Sequence, residues 1–181
     1  MFRAPLDDLV FQLRHVAGLD DVAALTGFPD GVDELAEPIL AEAAKLAEGA
    51  IAPLDEPGDR IGARLEGDRV RLPDGYEAMF AAFADGGWKA LPFPEDIGGQ
   101  NLPWTLTFAV NEIVFAANLG FSNCPLLTQG AIEALWHHGT AEQQRRYLRH
   151  LTEGRWTGTM CLTEPQAGTD LGAVATRAEP H

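Results

Sequence analysis

Apolar residues recur three or four positions apart over most of the chain, which is the spacing of one buried helical face. Leu6, Leu9, Val10, Leu13 and then Val16 or Ala17 make the first such stripe, with Pro5 suited to a first turn and Gly18 to a stop. A short turn of helix is expected over 20–26, ending near Gly27. The next stripe, Val32, Leu35, Ala36, Ile39, Ala43, Leu46, Ala47 and Ala50, predicts a long helix over 32–51, with Pro38 in its first turns and many alanines that allow close helix contact. Pro53, Pro57 and Gly58 are read as closing that segment.

The period then changes. Residues 63–72 alternate in polarity about Gly67-Asp68, which predicts a small exposed hairpin. A helix resumes at Pro73 with Tyr76, Met79, Phe80 and Phe83 on one face and stops at Gly86-Gly87. Residues 88–103, WKALPFPEDIGGQNLP, read as a loop, with Gly98-Gly99 a turn. Trp104 to Ala117 is apolar enough for a buried central helix, and the stripe from Phe108 to Phe115 is expected to be core. Another helix is expected over 126–138. Thr140 followed by Gln143 has the form of a capping box opening one more. After Gly154, bulky and β-branched residues predict a strand over 156–162, a turn over 163–170 and a second strand from Leu171 to Ala178. Two strands do not complete a sheet, so the β region is expected to be incomplete.

Composition narrows the partners. The chain has 181 residues, 46% hydrophobic and 22% charged, with a formal charge of −14, the balance of a globular protein. That acidity argues against a nucleic-acid backbone as ligand. Asp7 and Asp8 interrupt the N-terminal apolar segment, so a secretory signal is not expected, and a cytoplasmic, reducing location is. With two cysteines, Cys124 and Cys161, and no CxxC unit, neither a structural zinc nor a dithiol site is expected. Glu133 and His137 share a helix face without a third ligand, and a solvated face is the simpler reading. Arg145, Arg146, Arg149 and Arg155 could steer an anion or simply form the wet side of a helix.

The sharpest segment is 156–170, WTGTMCLTEPQAGTD, where hydroxyls, a glycine and a proline surround the end of the expected strand. MCLTEPQAGTD resembles the flavin-binding signature of the acyl-CoA dehydrogenase family. PFPEDIGGQNLP resembles the loop before that family's central helix, and HGTAEQQRRYLRHLTEGRW keeps the family's order of motifs. The likeness spans about residues 73–181, and the first 70 residues are similar to a helical extension found in one long-chain branch.

That resemblance implies a mainly α fold: a helical extension with a hairpin (1–72), the family's N-terminal helical bundle domain (73–153) and the first strands of a truncated β domain (154–181). It implies an FAD enzyme oxidising the Cα–Cβ bond of an acyl-CoA thioester, with electron-transfer flavoprotein or a similar acceptor as partner and a homo-oligomeric parent. By motif position Met160 and Leu162 would lie against the ring, Thr163 would bond its pyrimidine edge, and Thr169 would meet both cofactor and CoA. Ser122 and Asn123 would border the acyl pocket. Gln166 stands where the motif often has glycine, and Glu164 and Asp170 shape the loop. The family's catalytic base belongs to a later helical domain, so no catalytic residue is assigned and this piece alone is expected to be inactive. The competing readings are a non-catalytic helical module that assembles with partners or binds acyl-CoA, and an oxidase that passes electrons to oxygen.

Overall fold

The computed structural model describes residues 2–26, 28 and 31–179. Helix α1 (Leu6–Phe11) has Asp7 and Asp8 in its first turn, continues as a π-helical turn over Gln12–Ala17 and stops at Gly18, whose φ of 64° lies in the left-handed region that glycine enters freely. Helix α2 (Leu19–Thr26) follows; the expected stop at Gly27 lies outside the described residues. Helix α3 (Val32–Leu46) passes through Pro38 and continues as a π turn over Ala47–Ile51, as the alanine-rich stripe predicts. Ala36, Ala43 and Ala47 are fully buried on it, and their short side chains let α3 pack along the central helix α6 (Trp104–Ala117).

Pro53 and Pro57 do not end the helical region. After a 3-10 turn at Ala52–Leu54, helix α4 (Asp55–Ile61) forms with Pro57 in its first turn, where no intrahelical donor is lost, and ends at Gly62 with φ 65°. Strands β1 (Arg64–Glu66) and β2 (Arg69–Arg71) pair antiparallel with Leu65 opposite Val70, the hairpin that the alternation predicts. Helix α5 (Tyr76–Asp85) buries Met79 and Phe83. Gly58 lets α4 approach it: a Cβ there would fall 1.9 Å from the Tyr76 hydroxyl oxygen, which donates to the Leu54 carbonyl (3.3 Å) and accepts from Asn118 Nδ2 (3.3 Å).

The central helix is buried through Leu106, Val110, Ile113 and Val114, but the Phe108–Phe115 stripe is not core as expected. Phe108 is 63% exposed and Phe115 half-buried, and both line an open groove with Leu126. Val110, Ile113 and Val114, about half a turn around the wheel from both, carry the packing instead. Helix α7 (Leu119–His138) begins a full two turns before the expected residue 126. Asn118 is extended and its Oδ1 accepts from Phe121 N (2.9 Å), an N-cap strong enough for the helix to run on through Pro125.

Helix α8 (Ala141–Thr152) opens on the predicted capping box: Gln143 N donates to Thr140 Oγ1 (3.3 Å) and Thr140 N to Gln143 Oε1 (2.8 Å). Thr140→Ala removes one of these bonds and should lower stability by about 1 kcal/mol, read as a shift in the thermal midpoint by circular dichroism; an unchanged midpoint would refute the cap's contribution. One hydrophobic cluster joins α1, α3, α5 and α6 from Leu9 to Phe121. A second, of Phe93, Ile132, Leu148 and Leu151, lies between α7, α8 and the 88–103 loop. Among the described residues no helix is long and apolar enough to cross a membrane.

Beyond α8 the two expected strands do not form. Among the described residues the only regular sheet is the β1–β2 hairpin, and the stretch from Trp156 to Ala178 holds one isolated bridge, Glu164 with Ala167, and a 3-10 turn at Leu171–Ala173. Strand geometry persists only where a neighbouring backbone supplies partners, and among the described residues no strand lies alongside this stretch.

Candidate functional site

The segment after α8 is fixed at its start and clasped at its end. Trp156 N donates to the His150 carbonyl (3.0 Å), and the Trp156 ring stacks on His150 at 4.4 Å between centroids and near Tyr147 at 6.0 Å. Two residues on, Gly158 N donates to Thr128 Oγ1 (3.1 Å) on α7, while that hydroxyl donates to the Cys124 carbonyl (2.8 Å). The crossing is close enough to require glycine, since a Cβ at 158 would fall 2.5 Å from that of Ala131.

From this anchor the chain carries its polar and apolar groups outward. Met160 is 65% exposed and Leu162 38%, and Thr163 and Thr169 are both exposed. Among the described residues neither threonine hydroxyl has a protein hydrogen-bond partner. The four expected residues of the motif therefore stand together on one exposed segment.

The loop between them closes on Glu164. Its carboxylate accepts from Ala175 N (3.0 Å), from the N–H (2.9 Å) and hydroxyl of Thr176, and from Gln166 Nε2. These bonds, led by the Thr176 hydroxyl, hold its pKa down to about 2. Asp170 Oδ1 accepts from Gly172 N (3.1 Å) and starts the 3-10 turn. Glu164 and Asp170 thus have loop-shaping partners. Nothing in the local pattern of residues marked Thr176, twelve positions on, as a partner of Glu164.

The two residues expected at an acyl pocket part company. Ser122 is buried and its hydroxyl donates to the Asn118 carbonyl (2.7 Å), with the Val114 carbonyl 3.2 Å away, so it ties α7 back to α6. Asn123 is exposed, with its Nδ2 donating to the Leu119 carbonyl (3.3 Å). A separate cavity of about 440 Å³ opens beside Thr157, walled by Tyr76, Phe80, Phe121 and Cys124. Glu133 and His137 meet as an i, i+4 pair at 3.0 Å, and among the described residues no group of three or more His, Cys, Asp and Glu side chains could hold a metal. Arg149 and Arg155 both pair with Glu153 (2.8 and 2.9 Å), and Arg146 stacks on Tyr147.

Comparison with known proteins gives the fold its relatives. The family profile described as "Acyl-CoA dehydrogenase, N-terminal domain" matches residues 34–155. A 3-methylmercaptopropionyl-CoA dehydrogenase of Ruegeria pomeroyi is 43% identical over 180 residues, 99% of this chain and 31% of that protein. A broad-specificity linear acyl-CoA dehydrogenase of Mycobacterium tuberculosis is 32% identical over 98% of the chain and 29% of its own length. The chain thus spans about a third of the length of these relatives. Among solved structures, one titled as the electron transferring flavoprotein of Acidaminococcus fermentans superposes with a TM-score of 0.64 at 26% identity, over 76% of this chain and 34% of that one. Butyryl-CoA dehydrogenase from Megasphaera elsdenii shares the fold with a TM-score of 0.61 at 22% identity, over 82% of this chain and 36% of its own. With the profile covering most of the helical region and a relative aligned almost end to end, this chain belongs to the acyl-CoA dehydrogenase family and carries its N-terminal domain.

Proposed function

We propose that the chain is the N-terminal helical part of an FAD-dependent acyl-CoA dehydrogenase, which oxidises the Cα–Cβ bond of an acyl-CoA thioester to the 2-enoyl-CoA and passes the electrons to an electron-transfer flavoprotein. The observation that carries this reading is the exposed 160–169 segment, anchored on α7 and closed by Glu164, with two threonine hydroxyls that have no protein partner among the described residues. Those residues suit the flavin: two apolar side chains offer contact to a planar ring, and a hydroxyl donor beside them suits its polar edge.

In this reading FAD supplies the hydride acceptor. Thr163 would donate to the pyrimidine edge, a preformed donor suited to negative charge there. Met160 and Leu162, exposed here, would cover the ring and exclude water from it. Thr169 would meet the CoA moiety and Asn123 would border the acyl chain, while Ser122 supports that border from behind through its contact with the Val114 carbonyl of α6. The identity to two acyl-CoA dehydrogenases over nearly the whole chain supports the substrate class, and the neighbour titled as an electron transferring flavoprotein supports the acceptor.

The test uses the chain extended to the full length of its relatives. It should purify yellow and bleach on adding an acyl-CoA without air; a colourless protein that no acyl length bleaches overturns the reading. Thr163→Val should then weaken binding of oxidised FAD about threefold to tenfold, the value of one neutral hydrogen bond, and lower the reduction potential. If retention and potential are both unaltered, Thr163 has no part in holding the ring.

A further inference from the structure

The 163–176 loop lacks a sheet to hold it, yet it is closed at its neck. Both oxygens of Glu164 are engaged: Oε1 accepts the N–H and hydroxyl of Thr176, and Oε2 accepts Ala175 N and Gln166 Nε2. The same Gln166 amide lies 3.4 Å from the Ala173 carbonyl, so it braces the loop from one side to the other. Inside this frame Glu164 and Ala167 exchange backbone bonds at 3.0 and 3.1 Å, and Ala167 is fully buried. The Glu164 carboxylate is thus fully used within the loop, while among the described residues the Thr163 and Thr169 hydroxyls have no protein partner. Gln166 stands where the resembling motif commonly has glycine, which has no side chain to make this brace.

We propose that Glu164 and Gln166 are positioning residues that shape the 163–176 loop before a cofactor arrives and so fix where the Thr163 and Thr169 hydroxyls stand. The proposal rests on the flavin reading for its ligand. A loop already ordered in the free protein spares the ligand the cost of ordering it, so loosening the clasp weakens binding without removing any group that touches the ligand. The carboxylate is the necessary centre, because four donors converge on it and a carboxamide in its place would turn its own N–H groups toward two of them.

The experiment compares wild type, Glu164→Gln and Gln166→Gly in the chain extended to its relatives' length. In the FAD-free protein, amide hydrogen exchange at Ala175 and Thr176 should quicken about tenfold in Glu164→Gln and about threefold in Gln166→Gly, as hydrogen bonds to a charged group weaken. FAD dissociation constants should rise by similar factors, with a changed absorption envelope of the bound flavin. Unchanged exchange overturns the clasp. Quickened exchange with unaltered FAD affinity and spectrum overturns the positioning role. A wild type that protects Ala175 and Thr176 yet binds no FAD defeats the flavin reading instead, and the protected amides tell the two failures apart. Should Glu164→Gln fail to fold, Gln166→Gly decides by the same measurements.

Discussion

Gly99→Ala should cost about 2–4 kcal/mol, through overpacking against backbone that has nowhere to go. A Cβ at this position would fall 1.9 Å from the carbonyl oxygen of Phe93 and 2.3 Å from its carbon. Neither atom can yield cheaply. The Phe93 carbonyl accepts from Asn101 N (2.8 Å), Gly99 N donates to the Pro94 carbonyl (2.8 Å), and the Phe93 side chain is fully buried against Trp104 at 5.8 Å between ring centroids. A methyl group therefore opens the 93–101 loop or lifts Phe93 out of the cluster it shares with Ile132, Leu148 and Leu151. Gly130→Ala is the control of opposite sign. It lies within α7 with nothing within 4 Å of its Cβ position, and should gain about 0.5–1 kcal/mol from helix propensity. Urea midpoints of the two variants decide: equal shifts would mean that the close approach at Gly99 has no energetic weight.

Gly98 and Gly99 also show how far the pattern of residues reaches. Read as a turn, the pair is a turn, with Gly98 at φ 92°. Its dependence on Phe93 was not visible, because a contact between backbone atoms leaves no periodic trace. The same division runs through the fold. The α3 and α6 helices and the capping box of α8 are written in local spacing, and they form where that spacing puts them. The start of α7 at Leu119 rests on the cap at Asn118, a single side-chain bond that propensity does not count. The bulky and β-branched residues after Gly154 predict strands, yet a strand requires a partner, and Trp156 and Gly158 give their N–H groups to α8 and to Thr128 instead. At the candidate site the motif brought Met160, Leu162, Thr163 and Thr169 onto one segment, whereas the Glu164–Thr176 clasp joins residues with no shared period.

Lys89 is the residue least legible in its surroundings, and it carries the second large expectation. It sits in a 3-10 turn (Trp88–Ala90) in a stretch that reads as loop, yet it is 1% exposed. Its Nζ has no hydrogen-bond partner among the described residues, and lies 5.8 Å from the centroid of the Phe80 ring. Gly154 leaves the room it occupies, since a Cβ there would fall 3.0 Å from Nζ. Burial lowers its pKa from 10.5 to about 8, opposed by the nearby Cys124 thiol, which burial pushes up in turn. The ring's attraction offsets part of that cost, and the unmet donors remain. Lys89→Met keeps the length of the side chain and removes the charge, so it should stabilise the fold by about 1–3 kcal/mol at pH 7. The sign of the pH dependence follows from the direction of the shift. Below about pH 8 the amine is protonated folded and unfolded, and the full penalty stands. Between about 8 and 10.5 the unfolded chain binds the proton that the folded one has lost, so wild-type stability rises relative to Lys89→Met. The advantage of the variant should therefore be greatest below pH 8 and shrink toward pH 10.5. Cys124 is coupled to Lys89 and titrates in the same range, so both proteins are compared in a Cys124→Ala background, which takes the thiol out of the difference. Chemical denaturation of both at pH 7, 8.5 and 10 reads this directly: a variant less stable at pH 7, or a gap that stays constant to pH 10, would mean that Lys89 has found an acceptor and its charge is held rather than stranded.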